Sequence, residues 1–175
     1  MIQNSALVLV DVQVNMWMDG EWELYNKSAV LDTLEHLLQR ARNEGVPIIY
    51  IQNNGGVGEP DEPGTEGWQI HPRLAPVDSD IVVQKTVPSA FEENELDRLL
   101  KDRGIERLVV AGVQTDVCVN ANCEAALSHD YDVVLVRDAH TTFDGDDLTA
   151  PEIVDKYNES LASMLSVKNA ADITF

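Results

Sequence analysis

The sequence predicts an α/β fold, a single three-layer domain over residues 1–175 with a parallel sheet covered by helices on both faces. Two patterns and one length predict it. Short apolar runs alternate with longer segments of helical period. The runs are continuous and rich in Val and Ile rather than alternating with polar residues, as in strands buried on both faces. A chain of 175 residues fits one domain with one core.

The elements follow in order. "ALVLV" (6–10) reads as the first strand. Val30, Leu31, Leu34, Leu37, Leu38 and Ala41 mark one face of a helix, which Gly45 and Pro47 end. "PIIYIQ" and "DIVVQK" are strands two and three, and "ENELDRLLKDRG" is a short helix stopped by Gly104. "RLVVAG" is strand four, "VCVNANCEAALSHD" a helix and "YDVVLVRD" strand five. "APEIVDKYNESLASML" is the last helix, with Pro151 in its first turn, and "ADITF" is expected as a final edge strand. The loop 53–76, rich in Gly, Pro and acid, is expected to fold over a site.

Charge and cysteine usage narrow the function. Twelve basic residues face 31 acidic ones, a net charge of −19. That field disfavours nucleic acid and anionic membranes as partners and favours a neutral or cationic small molecule. Cys118 and Cys123 point about 140° apart on a helix and are not expected to pair. A reducing, cytoplasmic setting is expected, since the N-terminus lacks a signal-peptide pattern and no run approaches the ~20 apolar residues of a membrane span.

In parallel sheets, sites form beyond the carboxyl ends of the strands. The residues leaving those ends are Asp11, Gln52, Lys85, Gly112 and Asp138. Taken alone, Asp11 reads equally as a capping aspartate, Lys85 as a solvated lysine, and Cys118 as core filler. Taken together on one rim, they favour a nucleophilic cysteine beside a carboxylate and an ammonium. The helix N-terminus, the lysine and partial exposure are expected to lower the thiol's pKa, while the Asp11 carboxylate works the other way on charge but can accept the thiol proton. Cys123, followed by Ala125 and Ala126, fits core packing.

Four stretches carry a family resemblance: "LVLVDVQVNM", "VVQKTVPSAF", "VVAGVQTDVCV" and "DVVLVRDAHTTF". Their order and spacing resemble the isochorismatase-like cysteine hydrolases, which include nicotinamidases and related amidases, over nearly the whole chain. For this fold the expected strand order is 3-2-1-4-5-6. The resemblance implies a catalytic triad of Asp11, Lys85 and Cys118, and a non-proline cis peptide between Val113 and Gln114. It implies oxyanion donors at the amides of Gln114 and Cys118, and cleavage of an amide, lactam or ureido C–N bond through a thioester.

One departure is informative. Nicotinamidases carry an Asp-x-His metal motif after the second strand, where this chain has "IQNNGG". Amides are poor zinc ligands, and His36, His71, His129 and His140 lack ligand spacing, with His71 the best of them. No metal and no other cofactor is expected. The loop 53–76 and "GWQIHP" resemble a metal-free subgroup that includes a lactam-opening hydrolase. Gln13, Trp17, Trp68, Phe91 and Phe143 are the expected substrate-pocket residues, and a dimer or tetramer is the expected assembly. The alternatives are an isochorismatase-type vinyl ether hydrolase, for which a cysteine is unnecessary, a catalytically silent binding domain, and a receiver-like signalling domain, which lacks here the clustered carboxylates that Mg²⁺ requires. A nucleotide-binding domain lacks its glycine loop after strand one.

Overall fold

The computed structural model describes residues 4–20, 22–92 and 95–175. Its elements are β1 (Ser5–Val10), α1 (Val14–Trp17), α2 (Lys27–Asn43), β2 (Ile48–Asn53), β3 (Ile81–Lys85), α3 (Glu95–Asp102), β4 (Arg107–Val113), α4 (Asn120–Ser128), β5 (Asp132–Thr141), α5 (Ala150–Leu161) and β6 (Ser166–Lys168). The six strands form one sheet in the order β3-β2-β1-β4-β5-β6, and every pairing is parallel. This is the strand order expected from the sequence. Residues 1–3, and Glu93 and Asn94 at the start of the expected short helix, lie outside the described residues.

Period-two side-chain alternation divides the core between the two faces of the sheet. Ala6, Val8 and Val10 of β1 join one cluster with Leu96, Leu100, Val119, Cys123, Ala126 and Leu161, from the α3, α4 and α5 side. Leu7 and Leu9 join the other with the apolar face of α2, from Val30 to Ala41. Both faces of the sheet are therefore dry along the central strands β1, β2 and β4, which is why these read as unbroken apolar runs. No helix among the described residues is long and apolar enough to cross a membrane.

Two differences from the sequence-based elements have physical causes. The edge strand is Ser166–Lys168, which pairs with Val134–Val136 of β5, and not "ADITF". The C-terminal segment instead turns over the second core, where Ile173 is buried. Its carbonyls are taken by guanidinium groups: Arg40 donates to Ala170 O at 2.7 Å and Ile173 O at 2.6 Å, and Arg107 to Thr174 O at 3.0 Å. The chain also enters α4 through a wider turn. Residues Thr115–Val119 are π-helical, with Val119 N–H donating to Gln114 O, before α4 begins at Asn120.

The central strands meet tightly at the rim that carries the site. Gly112 has φ +130, and a Cβ there would lie 2.1 Å from Val10 O. Only glycine lets β4 approach β1 so closely. Asp11, directly after β1, has φ 47, a left-handed conformation that Asp tolerates better than most residues.

Candidate active site

Three strand exits converge at one edge of the sheet. Asp11 leaves β1, Lys85 is the last residue of β3, and Cys118 lies in the π-helical turn after β4. The Lys85 ammonium is 2.9 Å from Asp11 Oδ2 and 3.5 Å from Cys118 Sγ. It donates a third bond to Asn53 Oδ1 at 3.1 Å. An ammonium has three N–H donors, and here each has an acceptor. Asp11 and Lys85 are almost fully buried, at 1% and 4% exposure, while Cys118 is half-buried.

Burial sets the protonation of this group. It raises the pKa of Asp11 despite the opposing Lys85 charge, and the negative charge of Asp61 adds to the rise. Burial first, and the Asp11 carboxylate second, push the Cys118 thiol up to about 12 against the pull of Lys85. This corrects the sequence-based expectation of a lowered thiol pKa. The ammonium does lower it, but desolvation and a carboxylate together outweigh one cation. The resting sulfur is a thiol with a proton acceptor beside it.

The peptide bond between Val113 and Gln114 is cis. Gln114 and Phe143 line a cavity of about 450 Å³ together with Asn15, Met16, Trp22, Glu59, Pro60 and Asp61. The loop 53–76 thus forms part of its wall. Two cavities of about 480 and 570 Å³ lie at the opposite, amino-terminal edge of the sheet, around Gly45, Pro47 and Arg103, far from these groups.

Comparison with known proteins settles the lineage. A family model described as the isochorismatase domain matches residues 5–158. The chain belongs to the isochorismatase family. It is 37% identical over 159 residues to a streptothricin hydrolase of Streptomyces noursei, covering 91% of this chain and 56% of that protein. It is 27% identical over 173 residues to a ureidoacrylate amidohydrolase of Azorhizobium caulinodans, covering 79% of this chain and 76% of that one. A crystal structure of an isochorismatase from Pseudomonas putida superposes with a TM-score of 0.91 at 27% identity, over 98% of this chain and 90% of the other. The chain spans little more than half the length of the streptothricin hydrolases it matches, 56% and 55%.

Of the five residues expected to wall the pocket, Phe143 lines the cavity. The other four are structural, three of them around the cavity and Phe91 in the core. Gln13 is fully buried; its Nε2 donates to Asn53 O at 2.9 Å and Trp68 O at 3.1 Å, and its Oε1 accepts from Asn53 N at 2.7 Å. It ties the long loop to the strand exits. Trp17 donates to Lys27 O and packs on the second core beside His71, with ring centroids 5.7 Å apart. Trp68 donates to Asn54 Oδ1 at 2.8 Å. Phe91 is core, stacked near His129 and Tyr131 at the amino-terminal edge of the sheet.

The amides at the end of β2 and just after it are fully engaged in such bracing. Gln52 donates to Trp68 O, Asn54 to Gln84, and Asn53 to Asp61 Oδ2 at 2.7 Å. Among the described residues no three His, Cys, Asp or Glu side chains gather as a metal site. His71 Nδ1 accepts from Arg73 N, a loop-capping role.

Sequence reasoning missed three contributors. Asn53 aligns the Lys85 ammonium. Asn122 joins the chain after β3 to the nucleophile's turn, accepting from Ala90 N at 3.0 Å and donating to Cys118 O at 2.7 Å. Thr115, Asn158 and His140 form a buried chain, with Thr115 Oγ1 2.8 Å from His140 Nδ1 and His140 Nε2 3.1 Å from Asn158 Oδ1. Asn53 and Asn122 lie close in sequence to a strand exit or to the thiol, which is a usable signal. The Thr115–His140–Asn158 chain spans 43 positions and carries none.

Proposed function

We propose that the protein hydrolyses an amide-type C–N bond of a small molecule, with Cys118 as nucleophile. The observation that carries the reading is the Lys85 ammonium, held within 2.9 Å of a buried carboxylate and 3.5 Å of a half-buried thiol. The names of two relatives, a streptothricin hydrolase and a ureidoacrylate amidohydrolase, support C–N cleavage.

The chemistry follows from the charges. With its thiol held near 12, Cys118 needs a base at the moment of attack, and Asp11 is in place to be one. Its raised pKa makes it a stronger proton acceptor than an ordinary aspartate. As the proton moves to Asp11, Lys85 exchanges a carboxylate partner for a thiolate partner, so its charge stays balanced throughout. The sulfur adds to the carbonyl carbon. The backbone N–H groups of Gln114 and Cys118 receive the oxyanion, each such donor being worth about 3–4 kcal/mol in the transition state. Asp11 returns its proton to the amine nitrogen as the C–N bond breaks, leaving a thioester on Cys118. A water then gives a proton to Asp11 and adds to the thioester. The acid departs, and the thiolate recovers its proton.

The test is direct. Incubation with a panel of small amides, acid quench and peptide mass spectrometry should find the acyl mass on the peptide containing Cys118. Hydrolysis that continues after complete alkylation of Cys118 overturns the reading.

A further inference from the structure

The cavity beside the Cys118 turn is charged in one sense. Glu59 and Asp61 are the charged side chains in its lining, and the stretches 54–72 and 142–149 around it hold further acidic side chains but no lysine or arginine. Most of these carboxylates are exposed, and a solvated face would explain them. Asp61 is different. It lines the cavity yet is only 7% exposed. Its Oδ2 accepts from the neutral Asn53 amide, and among the described residues no basic side chain forms an ion pair with it. Lys85 is bonded to the other face of Asn53, but its closest carboxylate, at 2.9 Å, is Asp11. One cation therefore serves two buried carboxylates, and the cavity keeps a negative charge whichever of Cys118 and Asp11 holds the mobile proton. A buried carboxylate without a counter-charge is unfavourable unless a ligand supplies one.

A second, independent feature points the same way. Asn15, which lines this cavity, has an Oδ1 that is closed to solvent and accepts no hydrogen bond among the described residues. It is an acceptor awaiting a donor. Two aromatic rings complete the wall. Trp22 is 64% exposed, which is unusual for so large an apolar side chain, and Phe143 is half-buried. Ring faces attract cations.

We propose that the cavity takes a substrate bearing an ammonium or guanidinium group, received by the Asp61 carboxylate, Asn15 Oδ1 and the Trp22 and Phe143 rings, with Glu59 at the mouth. The proposal rests on the hydrolase reading above and names its substrate class. An N–H-rich cation supplies the charge that Asp61 lacks and the donor that Asn15 lacks. A carboxylate in its place would face Glu59 and Asp61 and, among the described residues lining the cavity, find no cation.

Three amides sharing one acyl group, with amine portions of equal length ending in ammonium, methyl or carboxylate, test it. kcat/KM should fall about tenfold at each step from ammonium to methyl to carboxylate. The ammonium preference should shrink at high ionic strength, and the rate on the methyl amide should not respond. Glu59→Gln should lower the ammonium-to-methyl ratio about threefold. Asp61→Asn should lower it further, and the salt dependence of the unsubstituted protein stands even if that buried variant folds poorly. Equal kcat/KM for the ammonium and methyl amides, or preference for the carboxylate, overturns the proposal. If no amide is turned over, calorimetry on the unsubstituted protein separates the two readings. Tighter binding of the ammonium compound then upholds the cation site and sinks the hydrolase, and equal binding sinks both.

Discussion

Cys118 and Cys123 are five residues apart, and in both the thiol is pushed up to about 12. Their surroundings nevertheless differ in kind. Cys123 is fully buried among the α3, α4 and α5 side chains, and burial dominates its shift. Cys118 is half-buried; burial is the largest cause of its shift too, but the Asp11 carboxylate comes second and is opposed by Lys85. The distinction decides what each sulfur can do. Nothing beside Cys123 relieves the cost of a buried thiolate. Beside Cys118, the group that disfavours the thiolate is also the group that can take its proton, and once Asp11 is neutral the remaining charge is the ammonium. A thiol's pKa therefore does not mark a nucleophile; the identity of the neighbour that moved it does.

The sharpest way to break this contrast is to remove each sulfur in turn. Cys118→Ala should cut hydrolysis by about 10⁴-fold or more, with the urea unfolding midpoint little changed. Cys123→Ala should leave the rate within about threefold and cost about 1–2 kcal/mol of stability through the lost core volume. Steady-state kinetics and urea titration on both variants decide it, and comparable losses of rate would erase the distinction. A smaller effect sharpens it. Asp11→Asn should slow hydrolysis by about 10²–10⁴-fold, the usual worth of a general base. The same change should speed alkylation of Cys118 by iodoacetamide at neutral pH, because the carboxylate that raises the thiol's pKa is gone and Lys85 stays. Alkylation of Cys123 in the folded protein should remain undetectable by mass spectrometry. If hydrolysis and Cys118 alkylation fall together, Asp11 acts by holding Lys85 rather than by accepting a proton.

The sheet was legible because burial on both faces leaves a plain mark, unbroken runs of Val, Ile and Leu. Parallel pairing then places every strand exit on one rim, so Asp11, Lys85 and Cys118 could be brought together without coordinates. What failed did so for local reasons. An extended chain would put Gln13, two residues on, on the same side as Asp11, but the left-handed φ of 47 at Asp11 breaks that period. "ADITF" is the expected edge strand, while the observed three-residue strand "SVK" is too short to show a pattern. The direction of the thiol shift needed the depth of Cys118, and depth depends on loops that pack from far away. Asp61 and Trp22 lie in such segments. Their types were visible, and their meeting at one cavity was not.

His140 offers the smallest effect and a test of how the nucleophile's turn is held. It is 2% exposed, and burial lowers its pKa from 6.5 to about 4. Asn158 Nδ2 donates to Arg137 O, so its Oδ1 is the acceptor for a protonated Nε2 of His140. Nδ1 is then free to accept from the Thr115 hydroxyl, beside the cis peptide. The neutral ring fits this chain and a second ring proton does not. A histidine whose folded pKa is depressed contributes stability that is present above its unfolded value, near 6.5, and is lost as pH falls toward the folded value, near 4. Between pH ~7.5 and ~5, that loss should amount to about 2 kcal/mol. His140→Gln should start less stable at pH ~7.5 by about 1–3 kcal/mol, having lost a buried hydrogen bond, yet lose less on acidification by nearly the amount that titration supplied. Urea titrations of both proteins at the two pH values give the difference in slope. Parallel slopes would mean that the ring is protonated in the folded state, and that a positive charge beside Thr115, rather than a neutral strut, faces the turn that carries Cys118.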